Sequence, residues 1–216
     1  MVIRYGVSIL LGISLLVGAG VPAIEASAAD SGSSKDVLRA LQPHRLFATS
    51  ANLGIVEIDP STGAVLNSFS APVNQGVSDG LAYDGTYLYF LSGSWASNTL
   101  YVLNPNTGSV VATYPLPANS FRNGVAHLNG LIYILESSVL SQDIIVFDPS
   151  SGKVVKTLDI DGANPESPRI SGGLASLTGP DALLATTSST NEILEIDPAT
   201  GVIVSRFSHN RSAVLG

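Results

Sequence analysis

The chain has 216 residues, of which 45% are hydrophobic and 12% charged, so it can bury a core and is not disordered along its whole length. Its formal net charge of -7 excludes a general affinity for nucleic acid, because binding phosphates requires clustered lysine and arginine. The absence of cysteine excludes disulfides, thiolate metal sites, thiol catalysis and the acylated cysteine of a lipoprotein.

The N-terminal segment 1–28 has the pattern of a secretory signal peptide. Arg4 provides a positive charge, residues 7–21 form an uncharged apolar run, and Ala-Ser-Ala at 26–28 is the small-residue pattern that signal peptidase recognises. An uncleaved anchor is the alternative, but the apolar run is shorter than the roughly 20 residues that span a bilayer. We therefore predict cleavage after residue 28 and a secreted or periplasmic protein that leaves the membrane.

The segment 29–44 separates this leader from the first repeat. ADSGSSKD at 29–36 is typical of a flexible linker, and DVLRALQ at 36–42 predicts a short helix. We expect the packed domain to begin at about residue 45.

A hairpin pattern recurs four times from there onward. Each copy has a short run of β-forming residues, an Asp-Pro or Asn-Pro pair, a glycine three residues later, and a second run rich in β-branched residues. The Asp or Asn side chain is expected to bind the backbone two residues on, and the glycine to adopt a positive φ. The copies are IVEIDPSTGAVLNSF from Ile55, LYVLNPNTGSVVATY from Leu100, IIVFDPSSGKVVKTL from Ile144 and ILEIDPATGVIVSRF from Ile193.

A second repeated element precedes three of these hairpins and predicts two short strands around a tight polar turn. One unit is therefore four antiparallel strands in about 45 residues, the size of a β-propeller blade, whereas a β-sandwich need not repeat and a solenoid repeat is shorter. The copies are DGLAYDGTYLYFLSG from Asp79, NGVAHLNGLIYILES from Asn123 and GGLASLTGPDALLAT from Gly172. We predict an all-β propeller of four-stranded antiparallel blades at about 45–78, 79–122, 123–171 and 172–216.

The number of blades in the whole propeller has two interpretations. The first unit lacks its first strand, and Ser212–Leu215 supplies that strand if the four units close into a ring. Alternatively, the chain is an incomplete part of a larger propeller. We favour the second interpretation, because propellers have about four to eight blades and four is the lower end of that range.

The repeat over 45–208 resembles that of secreted bacterial propellers of the YVTN/NHL-like kind, whose blades carry DPxTG hairpins. The second unit, GLAYDGTYLYFLSGSWASNTLYVLNPNTGSVVATYPLP, is also similar to a blade of the plant-type glutaminyl-peptide cyclotransferases. That resemblance implies a five-bladed propeller that cyclises N-terminal glutamine with an acidic residue near the start of an inner strand. The positions here that match such a place are Asp79 and Asn123.

The candidate ligand-binding residues are polar or aromatic side chains that differ between the copies. By analogy with other propellers, ligands bind near the starts of inner strands, where we expect Asp79, Asn123 and Glu136, with Arg122 beside them. Trp95, the only tryptophan, lies in the polar loop SGSWASN and suits a sugar or a peptide. The structural alternatives are a turn cap for Asp79, a hydrophobic plug for Trp95, and solvation or mutual pairing for Arg122 and Glu136.

No cofactor and no catalytic residue is predicted. The loop Asp159–Gly162, followed by Asn164 and Glu166, is rich in oxygen and makes calcium the one metal to consider, but it lacks the EF-hand spacing. No nucleophile-and-base motif is present. The histidines also lack ligand spacing; they are His44, His127 and His209.

The sequence therefore favours an exported, non-enzymatic propeller module that binds a protein, peptide or glycan through one face. A propeller enzyme acting at the channel mouth, either a glutaminyl-peptide cyclotransferase or a hydrolase, is the first alternative. A structural module of a larger surface protein is the second. The identity of the ligand and the oligomeric state do not follow from the sequence.

Overall fold

A computed structural model of the chain describes residues 45–50, 54–73, 79–92, 98–117, 121–137, 141–187 and 190–208. The predicted signal peptide, linker and first helix lie outside these residues, as do Trp95, His44, His209 and the strand predicted at 212–215. The described residues form four antiparallel sheets with one short helical turn. In the same part of the chain, no helix is both long and apolar enough to cross a membrane.

Blade 1 is a three-stranded sheet of β1 (Leu46–Ser50), β2 (Gly54–Ile58) and β3 (Val65–Phe69), in that order. Within the described residues, this sheet has no strand on the inner side of β1, where the other three sheets have their first strand. A β-bulge between Glu57 and Ile58 accommodates the turn of the outer hairpin. Similar bulges recur at this position in the other three sheets.

Blade 2 contains four strands, β4 (Gly80–Tyr83), β5 (Leu88–Leu91), β6 (Thr99–Leu103) and β7 (Val110–Pro115). The LYFL sequence of β5 is buried at every position, because this strand is covered on both faces by neighbouring blades. The outermost strand, β7, is largely exposed, and exposed and partly buried residues alternate along most of its length.

Blade 3 contains β8 (Phe121–Leu128), β9 (Leu131–Ser137), β10 (Gln142–Asp148) and β11 (Lys153–Asp159), followed by one helical turn, α1 (Ile160–Ala163). The strands pair in chain order, from β8 inside to β11 outside. Its longer strands extend the sheet beyond that of blade 2 at the end where β8 begins.

Blade 4 repeats the arrangement with β12 (Ile170–Leu177), β13 (Ala182–Thr187), β14 (Glu192–Ile196) and β15 (Ile203–Ser208). The innermost strands β4, β8 and β12 contact one another in sequence. The four sheets are thus the blades of a β-propeller, as the repeat predicts.

The hydrophobic core lies between the blades. Three apolar clusters fill the spaces between blades 1 and 2, 2 and 3, and 3 and 4. Each fully buried leucine or isoleucine contributes about 1.5–3 kcal/mol by leaving water, so these seams account for most of the stabilisation. The alternation along each strand thus divides its apolar side chains between two seams.

The outer hairpin of every blade closes through the side chain of its Asp or Asn. In blade 1, Asp59 Oδ1 accepts hydrogen bonds from the backbone N–H groups of Ser61 at 2.8 Å and Thr62 at 3.3 Å. In blade 2, Asn104 Oδ1 accepts the same two bonds at 2.8 and 3.3 Å, which explains why an amide replaces the carboxylate there. The equivalent side chains in blades 3 and 4 are Asp148 and Asp197.

These turns predict a specific pH dependence of stability. Hydrogen bonds from the turn hold the pKa of Asp59, Asp148 and Asp197 below its usual value, with the seryl hydroxyl the main donor to the first two and the Ala199 N–H to the third. A lowered folded-state pKa contributes stability above the ordinary carboxyl pKa, and this is lost as the pH falls through the folded value. The triple Asp→Asn variant should therefore show a flatter fall in Tm than the wild type as the pH drops below about 4, the ordinary aspartate pKa.

Asn104→Asp supplies the matched control for this prediction, because it adds a fourth titrating turn and should steepen the same fall. Thermal unfolding followed by circular dichroism across the pH range measures both. Equal slopes for the wild type and the triple variant would contradict the assignment.

The turn glycine also packs on the preceding blade. A Cβ on Gly108 would lie 2.3 Å from Cδ2 of the Phe69 ring, and one on Gly152 would lie 2.9 Å from Cε1 of Tyr114. Gly63 occupies the same turn in blade 1 with an almost identical φ of 74°, against 72° for Gly108, but no atom of the described residues lies within 4 Å of its Cβ position. The glycine therefore serves both the turn and the seam, and the sequence indicated only the first.

These two glycines predict a difference in unfolding free energy. Gly63→Ala should lower the free energy of unfolding only by the left-handed backbone strain, about 1–2 kcal/mol. Gly108→Ala introduces the same strain and must also displace the Phe69 ring, which should lower the free energy of unfolding by about 1–3 kcal/mol more. Urea unfolding of both variants, each repeated in a Phe69→Ala background, checks this: the added cost should shrink when the ring is gone. If the two alanine variants cost the same, the seam contact does not stabilise the protein.

Candidate functional site

The candidate site is the end of the blades at which β4, β8 and β12 begin, called the mouth below. Two glycines let these strands lie side by side: a Cβ on Gly80 would lie 2.5 Å from Cγ2 of Val125, and one on Gly124 would lie 2.9 Å from the backbone N of Leu174. Because the glycines are equivalent, the residues directly before them, Asp79 and Asn123, occupy equivalent positions at the mouth.

The inner strands are irregular at the mouth. The register of β8 against β9 shifts between Arg122 and Gly124, so Asn123 is the extra residue of a β-bulge. The register of β12 against β13 shifts on both sides of Gly172. Bulges redirect side chains and are frequent beside binding sites. The register shifts in β8 and β12 lie at the starts of these strands, where the sequences of the three repeat copies differ.

A buried ion pair lies beside the bulge in blade 3. Arg122 and Glu136 face each other in the register of β8 and β9, and Arg122 Nη2 donates to Glu136 Oε1 and to the Pro117 carbonyl. The Arg122 side chain is fully buried, whereas the Glu136 side chain keeps 14% of its exposure. The guanidinium therefore fixes a carboxylate at the edge of the mouth and ties blade 3 to the end of blade 2.

Further acidic side chains lie beside Glu136 on the outer strands of blade 3. Asp143 lies opposite both Glu136 and Asp159 in the strand register. Partial burial, together with Asp159 and Asp161, raises the pKa of Asp143, and a hydrogen bond from Ser141 opposes this rise. Burial is the main cause of the rise, and the two neighbouring carboxylates add to it.

The helical turn after β11 is organised by two of these carboxylates. Asp159 caps α1, its side chain accepting from the backbone N–H of Gly162 at 2.7 Å, and Asp161 Oδ2 accepts from the Gln142 N–H at 2.9 Å. Both groups satisfy backbone donors. Across the described ranges, no cluster of three or more His, Asp or Glu side chains suits a metal ion.

Gln142 is a residue at this end that the sequence did not identify. Its side chain is 1% exposed and binds both backbone groups of Ile170 in blade 4: Nε2 donates to the carbonyl at 2.7 Å, and Oε1 accepts from the N–H at 3.0 Å. The amide thus extends strand-type pairing from blade 3 to blade 4. Nothing local marks this glutamine, since its partner lies 28 residues away.

A buried acceptor lies next to the loop that carries Trp95. The Oδ1 atom of Asn98 is shielded from solvent and accepts no hydrogen bond within the part of the chain that the structure describes. The backbone carbonyl of Asn98 accepts from Leu116 N–H at 2.7 Å, so the residue is anchored. An anchored acceptor of this kind suits a donor supplied by a ligand or by water.

The structure brings Asp79, Asn123 and Glu136 to one end of the propeller, and Trp95 lies outside the described residues. Asp79 is partly buried directly before β4. Arg122 and Glu136 are paired, and Arg122 is not solvated. His127 lies near the other end of β8 and is 8% exposed, and this burial lowers the pKa of its imidazole. Its backbone carbonyl accepts a hydrogen bond from Ser176 Oγ in blade 4 at 2.7 Å.

Comparison with known families identifies the repeat. Residues 51–205 match the PQQ_2 family, described as outer membrane protein assembly factor BamB. The chain belongs to this family. The match begins at residue 51, shortly before β2, and ends within β15, so it includes parts of all four blades. Among curated proteins, none matches the chain.

Solved structures with the same fold come from several bacteria. A glutaminyl cyclase of Myxococcus xanthus has 18% identity and a TM-score of 0.57, over 75% of this chain and 65% of that one. Hydrazine synthase of Kuenenia stuttgartiensis has 16% identity and a TM-score of 0.51, over 75% and 45%. A protein of unknown function from Bacteroides caccae has 14% identity and a TM-score of 0.51, over 78% and 59%. The chain thus spans less than two thirds of each of these structures, and the likeness concerns the fold.

Proposed function

We propose that this protein is an exported propeller that binds a polypeptide at its mouth. The observation that carries the proposal is the pair of bulged inner strands, which start where the repeat copies differ. Asp79 and Asn123 stand at equivalent positions there, and Glu136 is held nearby by buried Arg122. The predicted signal peptide and the family description, an outer membrane protein assembly factor, support an exported protein that acts on other proteins.

The charge of the mouth supports a cationic polypeptide. Arg122 is already neutralised by Glu136, while Asp143 and Asp159 add negative charge to the same end. The chain as a whole carries -7. A basic side chain or a free N-terminal amine is attracted to such a surface, and the attraction weakens as salt is added.

Selection from a displayed library of random peptides tests the proposal. The wild type should enrich peptides with basic residues, and the double variant Asp79→Ser/Asn123→Ser should bind the selected peptides at least tenfold more weakly, as measured by calorimetry. Asn106→Ser, an exposed change in the turn at the other end of blade 2, serves as control and should bind normally. If the library yields no peptide above background, or if the double variant folds and binds as the wild type does, the proposal fails.

A second candidate is the cyclisation of N-terminal glutamine. It is favoured by the acidic groups of the mouth and by the fold shared with a glutaminyl cyclase. The balanced reaction is attack of the α-amine on the side-chain carbonyl with release of ammonia. Mass spectrometry of a peptide with N-terminal glutamine detects this loss, with the N-acetylated peptide as control. Cyclisation that persists unchanged in Asp79→Asn would exclude Asp79 as the acidic group.

A further inference from the structure

The inner strands β4, β8 and β12 carry equivalent residues near the ends that lie opposite the mouth. Tyr83, His127 and Ser176 hold this position, three residues after the inner-strand glycine. The ring of Tyr83 packs on Phe47 of blade 1 with 5.2 Å between centroids, and the Ser176 hydroxyl donates to the His127 backbone carbonyl of blade 3 at 2.7 Å. The position therefore contacts the preceding blade, and in blade 3 alone it holds a side chain that gains a charge near neutral pH.

The His127 side chain lies in the seam between blades 2 and 3. Along β8, Val125 belongs to the apolar cluster of that seam, whereas Ala126 and Leu128 belong to the cluster between blades 3 and 4. Successive residues of a strand face opposite sides, so His127 shares the side of Val125. Its register partner, Ile132, lies in the same cluster, and His127 is only 8% exposed.

Asp84 is the charged group that faces the imidazole from blade 2. Its Oδ1 atom accepts from the N–H groups of Thr86 at 2.7 Å and Tyr87 at 2.6 Å. Its Oδ2 atom accepts from the hydroxyl of Tyr89, on β5, at 2.9 Å. The carboxylate is thus held in the inner turn of its own blade, and it is not placed there by the histidine.

The other strands in contact with β8 add no charge beside His127 within the described residues. The ring of Tyr133, on β9, lies in the opposite seam, where burial, Asp181 and Asp197 raise its pKa. On β12, Ser176 binds the backbone of His127 and has no charge. The buried ion pair of β8 and β9 lies at the mouth, the other end of both strands.

A proton on His127 is costly in this seam. Burial outweighs the attraction of Asp84 and lowers the pKa of the imidazole, because the charged form would lie among apolar side chains. We propose that His127 makes the seam between blades 2 and 3 sensitive to mild acid, so that uptake of a proton loosens the two blades at the end opposite the mouth. The seam would respond in this way whatever the mouth binds.

The pH range follows from the direction of the pKa change. A histidine whose folded-state pKa is lowered contributes stability that is complete above its ordinary pKa, about 6.5, and is lost as the pH falls below that value. The Asp turns of the outer hairpins lose their contribution only below about pH 4, so the two effects are separable.

NMR titration of labelled histidines tests the inference. The signal that is missing from His127→Gln belongs to His127, and its midpoint should lie below about pH 6.5. Asp84→Asn should lower the midpoint further, because it removes the charge that favours the protonated form while its amide oxygen can still accept from the turn as Asn104 does. Asp181→Asn, in the inner turn of blade 4, is the matched control and should leave the midpoint unchanged. A midpoint at or above about 6.5, or equal responses to both Asp variants, overturns the inference.

Urea unfolding at about pH 7.5 and about pH 5.5 measures the consequence for the fold. Between these values the folding equilibrium constant of the wild type should fall relative to that of His127→Gln, by the factor that the NMR midpoint sets. His127→Ser, which introduces the residue of blade 4, should behave as His127→Gln does. In acid, hydrogen exchange of the wild type relative to either variant should speed up at Tyr89, in the seam between blades 2 and 3, more than at Leu194, in the next seam. Equal acceleration at both seams, or no relative fall in stability, would show that His127 does not control the seam.

Discussion

Glu136→Gln is expected to lower the free energy of unfolding by about 3–5 kcal/mol, because it leaves the guanidinium of Arg122 buried without its counter-charge. The Arg122 side chain has no solvent exposure, and the Pro117 carbonyl that also accepts from it is a neutral group that cannot replace the lost charge. For a domain of this size, the loss corresponds to a fall in Tm of roughly 6–20 °C. Urea unfolding and scanning calorimetry measure both quantities.

A double-mutant cycle separates the pair from its surroundings. Arg122→Met should cost less than Glu136→Gln, because the carboxylate it leaves behind keeps 14% of its exposure and can be solvated. Arg122→Met/Glu136→Leu removes both charges and should recover most of the loss, as buried pairs replaced by apolar residues commonly do. If Glu136→Gln alone costs under about 1 kcal/mol, the buried charge is compensated by other groups and the pair is not a structural anchor.

The parts of the fold that the sequence predicts are those set by local chemistry. The turns at Asp59 and Asn104 form the hydrogen bonds expected of Asx-Pro sequences, and the repeat length correctly predicts four-stranded blades. Burial of Arg122 could not be predicted in this way. It depends on a bulge in β8 and on a carbonyl from the preceding blade, and the sequence around position 122 predicts neither.

The same limit applies to the seams. Gly108 is recognisable from the sequence as a turn glycine, but its contact with Phe69 is set by the distance between two blades, which no local pattern encodes. The candidate site is divided similarly. The aligned glycines predict that Asp79 and Asn123 directly precede inner strands, and their role in binding stays a prediction. The hydrogen bonds of Gln142 to blade 4 and the unpaired Oδ1 of Asn98 are visible only in three dimensions.

Gln142→Leu is expected to destabilise the protein by about 2–5 kcal/mol. The change leaves the N–H and the carbonyl of Ile170 without partners in a buried position, and each such group costs about 1–3 kcal/mol. The loss should concern the seam between blades 3 and 4. Hydrogen exchange should therefore speed up at Ile170 more than at Ile55, which lies in the seam between blades 1 and 2.

Gln142→Glu provides the sharper test, because it keeps the shape and changes one hydrogen. An ionised carboxylate accepts from the Ile170 N–H but repels the Ile170 carbonyl, whereas a protonated one donates to that carbonyl as the amide does. Burial should raise the pKa of the new carboxyl in the folded state, so its stabilising protonated form is complete below the ordinary glutamate pKa and is lost as the pH rises through the raised value. Relative to the wild type, this variant should therefore be markedly less stable at neutral pH and nearly normal at about pH 4. Gln142→Leu should show the same deficit at both, and a Gln142→Glu deficit that does not change with pH would mean that the donated hydrogen bond does not hold the two blades together.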